Sequence, residues 1–459
     1  MKPIKSKIKK YSQHESLHPI KMVVFAIILG ILGGLGAILF RTLVALIHNV
    51  AFLGHFSFIY NENLHTSASI WGIGVIFVPI VGSIMVIWLI KKFAPGQSGL
   101  GVPEILNAIF CQDGKIQPSV SLAKIIASAL TISTGGSVGR EGPVFQIGAL
   151  SSSIISNLLH LSRQQRKILM AAGVAACTAV IFDAPFAGIV FASEFMLETI
   201  SVLSIALIII ATSFALCIEY LLIDVKPIFS TPLVNQINSN LTLSNLLLFV
   251  SFGMLVGIIS ILLIRSVYYF EDFFNSHFKN VFLRHMTGML IVGFFMYLSM
   301  YLFGHYYIEG IGFATIQDCL NNQILNLWLL LFLVVTKLLA TCLTLGSGAS
   351  GGIFSPSLFI GATLGSAFAL MINYFVPTFV VDPVLFTLIG MAAMLGSTTG
   401  ALITSVILTC EMMRNYHFIL PLTLTVLIAY LVRYSFCREN IYTLKLHRRG
   451  IDLPRRYFN

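Results

Sequence analysis

Apolar segments follow one another almost without interruption from Lys21 to Val432, and this confines the chain to a bilayer. Hydrophobic residues make up 57% of the sequence and charged residues only 10%, against about a quarter charged in ordinary soluble domains. A water-soluble fold is excluded, and one membrane domain is a better count than several soluble ones. Spans are expected at Met22–Leu46, Ile70–Ile90, Val202–Leu222, Leu243–Ile264, Gly288–Phe303, Leu327–Leu345 and Leu420–Val432, since about 20 apolar residues cross a bilayer as a straight helix. Between them lie shorter pieces interrupted by Gly, Pro and Ser: Leu122–Ser133, Val144–Ile155, Ile353–Leu370 and Leu385–Leu395. These predict tilted or broken helices. Exposed backbone at membrane depth is tolerated only where protein or a water-filled cavity surrounds it, so the expected fold is an all-α integral membrane protein with many partial helices.

The net charge of +10 gathers at the ends, in Lys2, Lys5, Lys7, Lys9 and Lys10 and in Lys445, Arg448, Arg449, Arg455 and Arg456. The positive-inside rule then puts both termini in the cytoplasm. Contact with acidic lipid heads accounts for such runs, and no nucleic-acid partner is expected. Seven cysteines stand singly, without metal-binding spacing, so neither a metal site nor a cofactor is expected. The first apolar stretch is long and lacks a small-residue cleavage site, and reads as a retained helix.

Three landmarks recur in order in the two halves. Gly99-Leu-Gly-Val-Pro-Glu-Ile105 aligns with Gly310-Ile-Gly-Phe-Ala-Thr-Ile316, and Gly139-Arg-Glu-Gly-Pro-Val-Phe-Gln-Ile-Gly-Ala149 aligns with Gly352-Ile-Phe-Ser-Pro-Ser-Leu-Phe-Ile-Gly-Ala362. The third pair is Ala184 through Glu194-Phe-Met196 against Ala401 through Glu411-Met-Met413. Such duplication marks transport folds in which broken helices of both halves meet at a substrate site near the bilayer midplane.

The second landmark has the chemistry of an anion site. In Gly139-Arg140-Glu141-Gly142-Pro143 the proline suits the first turn of a helix, where its missing N–H goes unneeded. Glycines let bare backbone N–H groups face a ligand at the positive end of the helix dipole. Gly351-Gly352-Ile353-Phe354-Ser355-Pro356 repeats the construction. Two such termini aimed at one point hold an anion without burying a full positive charge, which suits an ion that must also leave. Glu141 is itself an anion at that place and would compete with the permeant ion, making it the candidate gate.

On these motifs, with Gly99–Glu104 and Tyr442 after the last span, the chain from about Lys21 to Tyr442 resembles the CLC family of chloride channels and chloride/proton antiporters. The resemblance implies a homodimer with one pore per subunit, each pore built from two inverted halves totalling eighteen helices. The halves would be 21–225 and 226–442, flanked by a basic segment 1–20 and a short basic tail 443–459 without a regulatory module. It implies further that Glu141 gates. Gly139, Arg140, Gly142, Gly352, Ile353 and Phe354 would surround the anion, held by the amides of Ile353 and Phe354 and closed on the cytoplasmic side by the Tyr442 hydroxyl.

Two positions depart from the family pattern. Leu100 stands at the inner gate where a serine hydroxyl is usual, and Phe195 stands in the proton-relay position after Glu194, whose repeat partner Glu411 favours a structural role for it. Lys124, Asp183 and Lys337 are expected to satisfy helix ends or one another. A phenyl ring carries no proton, so a passive or weakly coupled chloride path is expected in a bacterial inner membrane, with a strictly coupled chloride/proton antiporter as the alternative. An intramembrane serine protease is a remote third, resting on Gly348-Ala-Ser350-Gly351 and Gly135-Gly-Ser137-Val-Gly139, which lack a nearby base. A carrier for organic anions lacks an arginine-rich pocket beyond Arg140.

Overall fold

The computed structural model describes residues 18–95, 101–224, 227–231, 233, 243–377 and 380–451. The first half contributes α1 (Pro19–His48), α2 (Val78–Phe93), α3 (Gly101–Cys111), α4 (Pro118–Ser133), α5 (Glu141–Leu158), α6 (Arg163–Phe182), α7 (Pro185–Phe195) and α8 (Val202–Leu222). The second contributes α9 (Leu243–His277), α10 (Val281–Phe303), α11 (Phe313–Leu320), α12 (Leu327–Ser347), α13 (Phe354–Phe375), α14 (Pro383–Thr399), α15 (Leu402–Met412) and α16 (Ile419–Phe436), before the short α17 (Ile441–Arg448). Seventeen α-helices are thus present among the described residues. Residues 1–17 of the basic segment and 452–459 of the basic tail, the expected division at 225–226, and Leu100 lie outside them.

Helix boundaries follow local chemistry. Proline opens α1, α4, α7 and α14, where a missing N–H costs nothing. Side-chain caps from Ser162, Ser201, Asn280, Asn326, Asp382 and Asn440 satisfy first-turn amides of α6, α8, α10, α12, α14 and α17. Among the described residues, nine helical stretches are long and apolar enough to span a membrane. Of these, α6 and α13 were not among the expected spans; α13 falls on the shorter piece expected at Ile353–Leu370, whereas nothing was expected at α6. Helix α6 opens on Arg163, Arg166 and Lys167 and continues in alanine, so it carries little of the bulky apolar signal of a lipid-facing helix. It is almost wholly buried. Other helices turn large apolar residues outward instead, among them Leu39, Trp88, Leu221 and Leu247.

The two halves pack alike. α1 lies on α8 as α9 lies on α16, α5 on α6 as α13 on α14, and α6 on α7 as α14 on α15. Between halves, α2 meets α10 and α7 meets α15. The Ile-Gly-Ala triplet of the repeat now has a cause. Gly148 of α5 sits against the carbonyl of Gly173 in α6, and Gly361 of α13 against that of Gly390 in α14, in each case too close for a Cβ. Small residues let membrane helices approach to backbone contact, which replaces the hydrophobic drive that lipid cannot supply.

An inverted relation between the halves appears at α7 and α15. Glu411, in the last turn of α15, accepts from the N–H groups of Phe186 (3.0 Å) and Ala187 (2.7 Å) at the start of α7. Glu194, near the end of α7, accepts from the N–H groups of Ile403 (3.3 Å) and Thr404 (3.1 Å) and from the Thr404 hydroxyl (2.7 Å) at the start of α15. Reciprocal capping of this kind requires antiparallel helices exchanged by a two-fold axis.

Gly361→Val is expected to separate α13 from α14 and destabilise the protein by at least the roughly 1–3 kcal/mol typical of overpacking. Gly74→Ala, where the nearest atom to a new Cβ is 3.5 Å away, should change little. Unfolding midpoints of both variants in detergent would check the pair.

Candidate anion site where the two halves meet

Gly139 and Gly352 form an antiparallel bridge. The Gly139 N–H donates to the Gly352 carbonyl at 2.8 Å and the Gly352 N–H to the Gly139 carbonyl at 2.9 Å. The bridge satisfies four backbone groups at once, and it fixes the N-termini of α5 and α13 beside each other. Neither glycine can be replaced freely, because a Cβ on either would run into the Glu141 carboxylate. Gly142 has more room, its Cβ position lying 3.4 Å from the Gly352 nitrogen.

Glu141 begins α5 and is fully buried. Its carboxylate reaches across to the other half, accepting from the Phe354 N–H at 2.5 Å and from the Ser355 hydroxyl at 3.1 Å. Ile353 is the N-cap residue of α13 and Phe354 its first residue. The carboxylate therefore occupies a seat made of unpaired helix amides and a hydroxyl, which is a seat for an anion. Ser355 is a site residue that the motif contained but that the sequence reading passed over. Its position between Phe354 and Pro356 was the available signal.

Arg140 turns away from this seat. It pairs with Glu62, donates to the Ile181 carbonyl at 2.9 Å and lies 5.0 Å above the Phe313 ring. It lines a cavity of about 600 Å³ together with Arg41, Glu62, Asp183 and Glu219, none of them singled out as part of a mouth from the sequence. Asp183 is paired there with Arg414 at 2.5 Å.

On the other side of the seat the side chains are aromatic. Phe354 meets Phe191 (6.0 Å), Phe191 stacks on Phe195 (5.2 Å), and Phe195 meets the Tyr442 ring edge-on (6.2 Å). Tyr442 is fully buried, and its hydroxyl is one of the few buried polar atoms among the described residues without a hydrogen-bond partner. A buried hydroxyl left unpaired costs about 1–3 kcal/mol, so the arrangement is explained if an anion supplies the missing acceptor. Glu194, by contrast, is engaged at α15. A second cavity of about 710 Å³ is lined by Glu104, Lys115, Gln146 and Arg449. Lys124 pairs with Glu104 at its edge.

The serines of the short nucleophile patterns find no base. Ser350 accepts from the Ser128 hydroxyl at 2.9 Å, and Ser137 pairs with the Thr341 hydroxyl at 2.9 Å.

Residues 82–434 match the family described as voltage gated chloride channel. The H(+)/Cl(-) exchange transporter ClcA of Vibrio parahaemolyticus is 31% identical over 382 residues, covering 80% of this chain and 79% of the relative. Among solved structures, a slow cyanobacterial Cl-/H+ antiporter matches with a TM-score of 0.80 at 26% identity, over 95% of this chain and 99% of the other. A CLC-type fluoride/proton antiporter matches with a TM-score of 0.74 at 21% identity, over 94% and 99%, a likeness of fold alone.

Tyr442→Phe is expected to weaken halide binding by about ten- to hundredfold, the equivalent of roughly 1.5–3 kcal/mol for a hydrogen bond to a charged group. Calorimetric titration with chloride and bromide would read it. The same variant should be no less stable than the parent without halide, because it removes an unpaired buried hydroxyl.

Proposed function

The chain belongs to the voltage-gated chloride channel (CLC) family, which transports anions, and from that premise we propose that it exchanges chloride for protons along a path closed by Glu141. The observation that carries the reading is the Glu141 carboxylate seated on the Phe354 amide and the Ser355 hydroxyl. The seat holds either this carboxylate or a free anion, never both. A proton on Glu141 removes the charge that the helix dipole favours, so the neutral side chain leaves and a chloride takes the amide. Loss of that proton brings the carboxylate back and displaces the anion. One group thus binds the proton and excludes the anion, which ties the two fluxes together.

Coupled exchange is favoured over the passive or weakly coupled reading, because the relatives carry exchange and antiport in their names. Phe195 does not reverse this preference. It leaves the route between the Tyr442 side and Glu141 without an acidic side chain at the relay position, so water along the path would have to carry the proton.

Orientation follows from charge. Lys445, Arg448 and Arg449 cluster in and just after α17, next to the basic tail. The positive-inside rule puts the α17 side and both termini in the cytoplasm, in a bacterium at the inner membrane. A homodimer with one path per subunit, each path formed between residues 21–225 and 226–442, is the assembly we assign.

Glu141→Gln is expected to keep chloride flux in proteoliposomes at or above the parent rate while removing its pH dependence and all proton movement. In the parent protein a chloride gradient should drive protons uphill, and a reversal potential at the chloride equilibrium potential in opposed gradients would overturn the exchange reading. Arrest of chloride flux in a folded Glu141→Gln variant would overturn the gate.

A further inference from the structure

Two large cavities, one beside Arg140 and one beside Arg449 of the loop after α17, differ in charge. On the α17 side, Lys115 and Arg449 line the wall with a single carboxylate, Glu104, which pairs with both Lys124 and Arg449. On the Arg140 side, two arginines, Arg41 and Arg140, face four carboxylates, Glu62, Asp183, Glu219 and Asp224. Arg140 is taken by Glu62, and Asp183 by Arg414. Glu219 differs from the rest. It lies near the end of α8, 3% exposed, and its Oε2 has no hydrogen-bond partner although it borders the cavity. Asp183, Arg41 and Arg140 are close enough to act on it electrostatically.

A buried carboxylate with an unused oxygen on the wall of an anion route is costly both to the fold and to the anion. When the group is ionised, its field is focused by low-dielectric walls and opposes the guanidinium groups of Arg41 and Arg140. Resting on the reading that this cavity feeds the seat closed by Glu141, we propose that Glu219 sets anion access from the Arg140 side, making that mouth a poor entrance for anions while the basic α17 mouth is a good one. The exchanger then works asymmetrically: at equal chloride on both sides the seat fills from the α17 mouth. The acidic mouth attracts cations, protons included, towards Glu141.

The test is Glu219→Gln in the full-length protein, reconstituted in one orientation by capture through a terminal tag, with chloride uptake measured from each side. The expected result is a roughly fivefold fall in KM for chloride entering from the Arg140 side, the size of one unit charge acting across a few ångströms of water. Maximal flux and the KM at the α17 mouth should not move. An impermeant salt should shrink the effect by screening, Glu219→Asp should restore the parent KM, and Arg41→Gln should raise the same KM. An unaltered KM at the Arg140 side overturns the proposal, as does a change at both mouths or a loss of maximal flux alone. The Glu141→Gln flux assay separates failure of the gate from failure of this proposal, since each is read in its own variant.

Discussion

Everything in this structure depends on two helix N-termini meeting inside a membrane domain, joined by backbone pairing and by the carboxylate of Glu141. Broken helices leave amides unpaired at a depth where water cannot reach them freely, and each costs free energy unless a partner is found. The Gly139–Gly352 bridge resolves part of this by pairing backbone with backbone. The Phe354 amide and the Ser355 hydroxyl remain, and Glu141 takes them. Because the amides carry only partial charge, an ion can replace the carboxylate without being trapped.

The same economy governs the rest of the interior. Glu194 and Glu411 cap each other's helices across the boundary between halves, so the carboxylates nearest the α7–α15 contact are engaged by backbone donors. The backbone contacts of Gly148 with Gly173 and of Gly361 with Gly390 set how close the helices behind the two termini can come. Those contacts hold α5 and α13 in place, and so they hold the seat.

Much of this was legible in the sequence, because it is written in local patterns. The Gly-x-Glu-Gly-Pro and Gly-Ile-Phe-Ser-Pro runs mark helix starts by the chemistry of proline and glycine, and the recurrence of Ile-Gly-Ala marks the duplication. The reciprocal role of Glu194 and Glu411 was visible in their repeat relation. What stayed hidden depends on distant pairing or on burial. Arg140 is separated from Glu62 by 78 positions and His48 from Glu309 by 261, and no local pattern links either pair. Helix α6 was missed because a helix enclosed by protein need not be greasy. Glu219 sits in an ordinary apolar span and gains meaning only from the cavity beside it.

Duplication also explains how a symmetric scaffold can serve an asymmetric path. Lys124 in α4 and Lys337 in α12 occupy equivalent places relative to α5 and α13, and both are fully buried. Lys124 is neutralised by Glu104, which Gln146 also contacts at 3.3 Å. Lys337 donates instead to the carbonyls of Ile308 (3.0 Å) and Gly310 (2.7 Å) and lies 4.8 Å from the centre of the Phe359 ring. The residue matching Glu104 in the second half is Thr315, so the acid has been lost there and backbone oxygens have replaced it. Near the seat, where the backbone does the binding, the halves must stay alike, since each terminus is shaped by the other. Towards the mouths, side chains do the work and no such constraint applies. A charge can be removed from one mouth or added at the other without disturbing the centre, and that freedom makes opposite mouths compatible with equivalent halves.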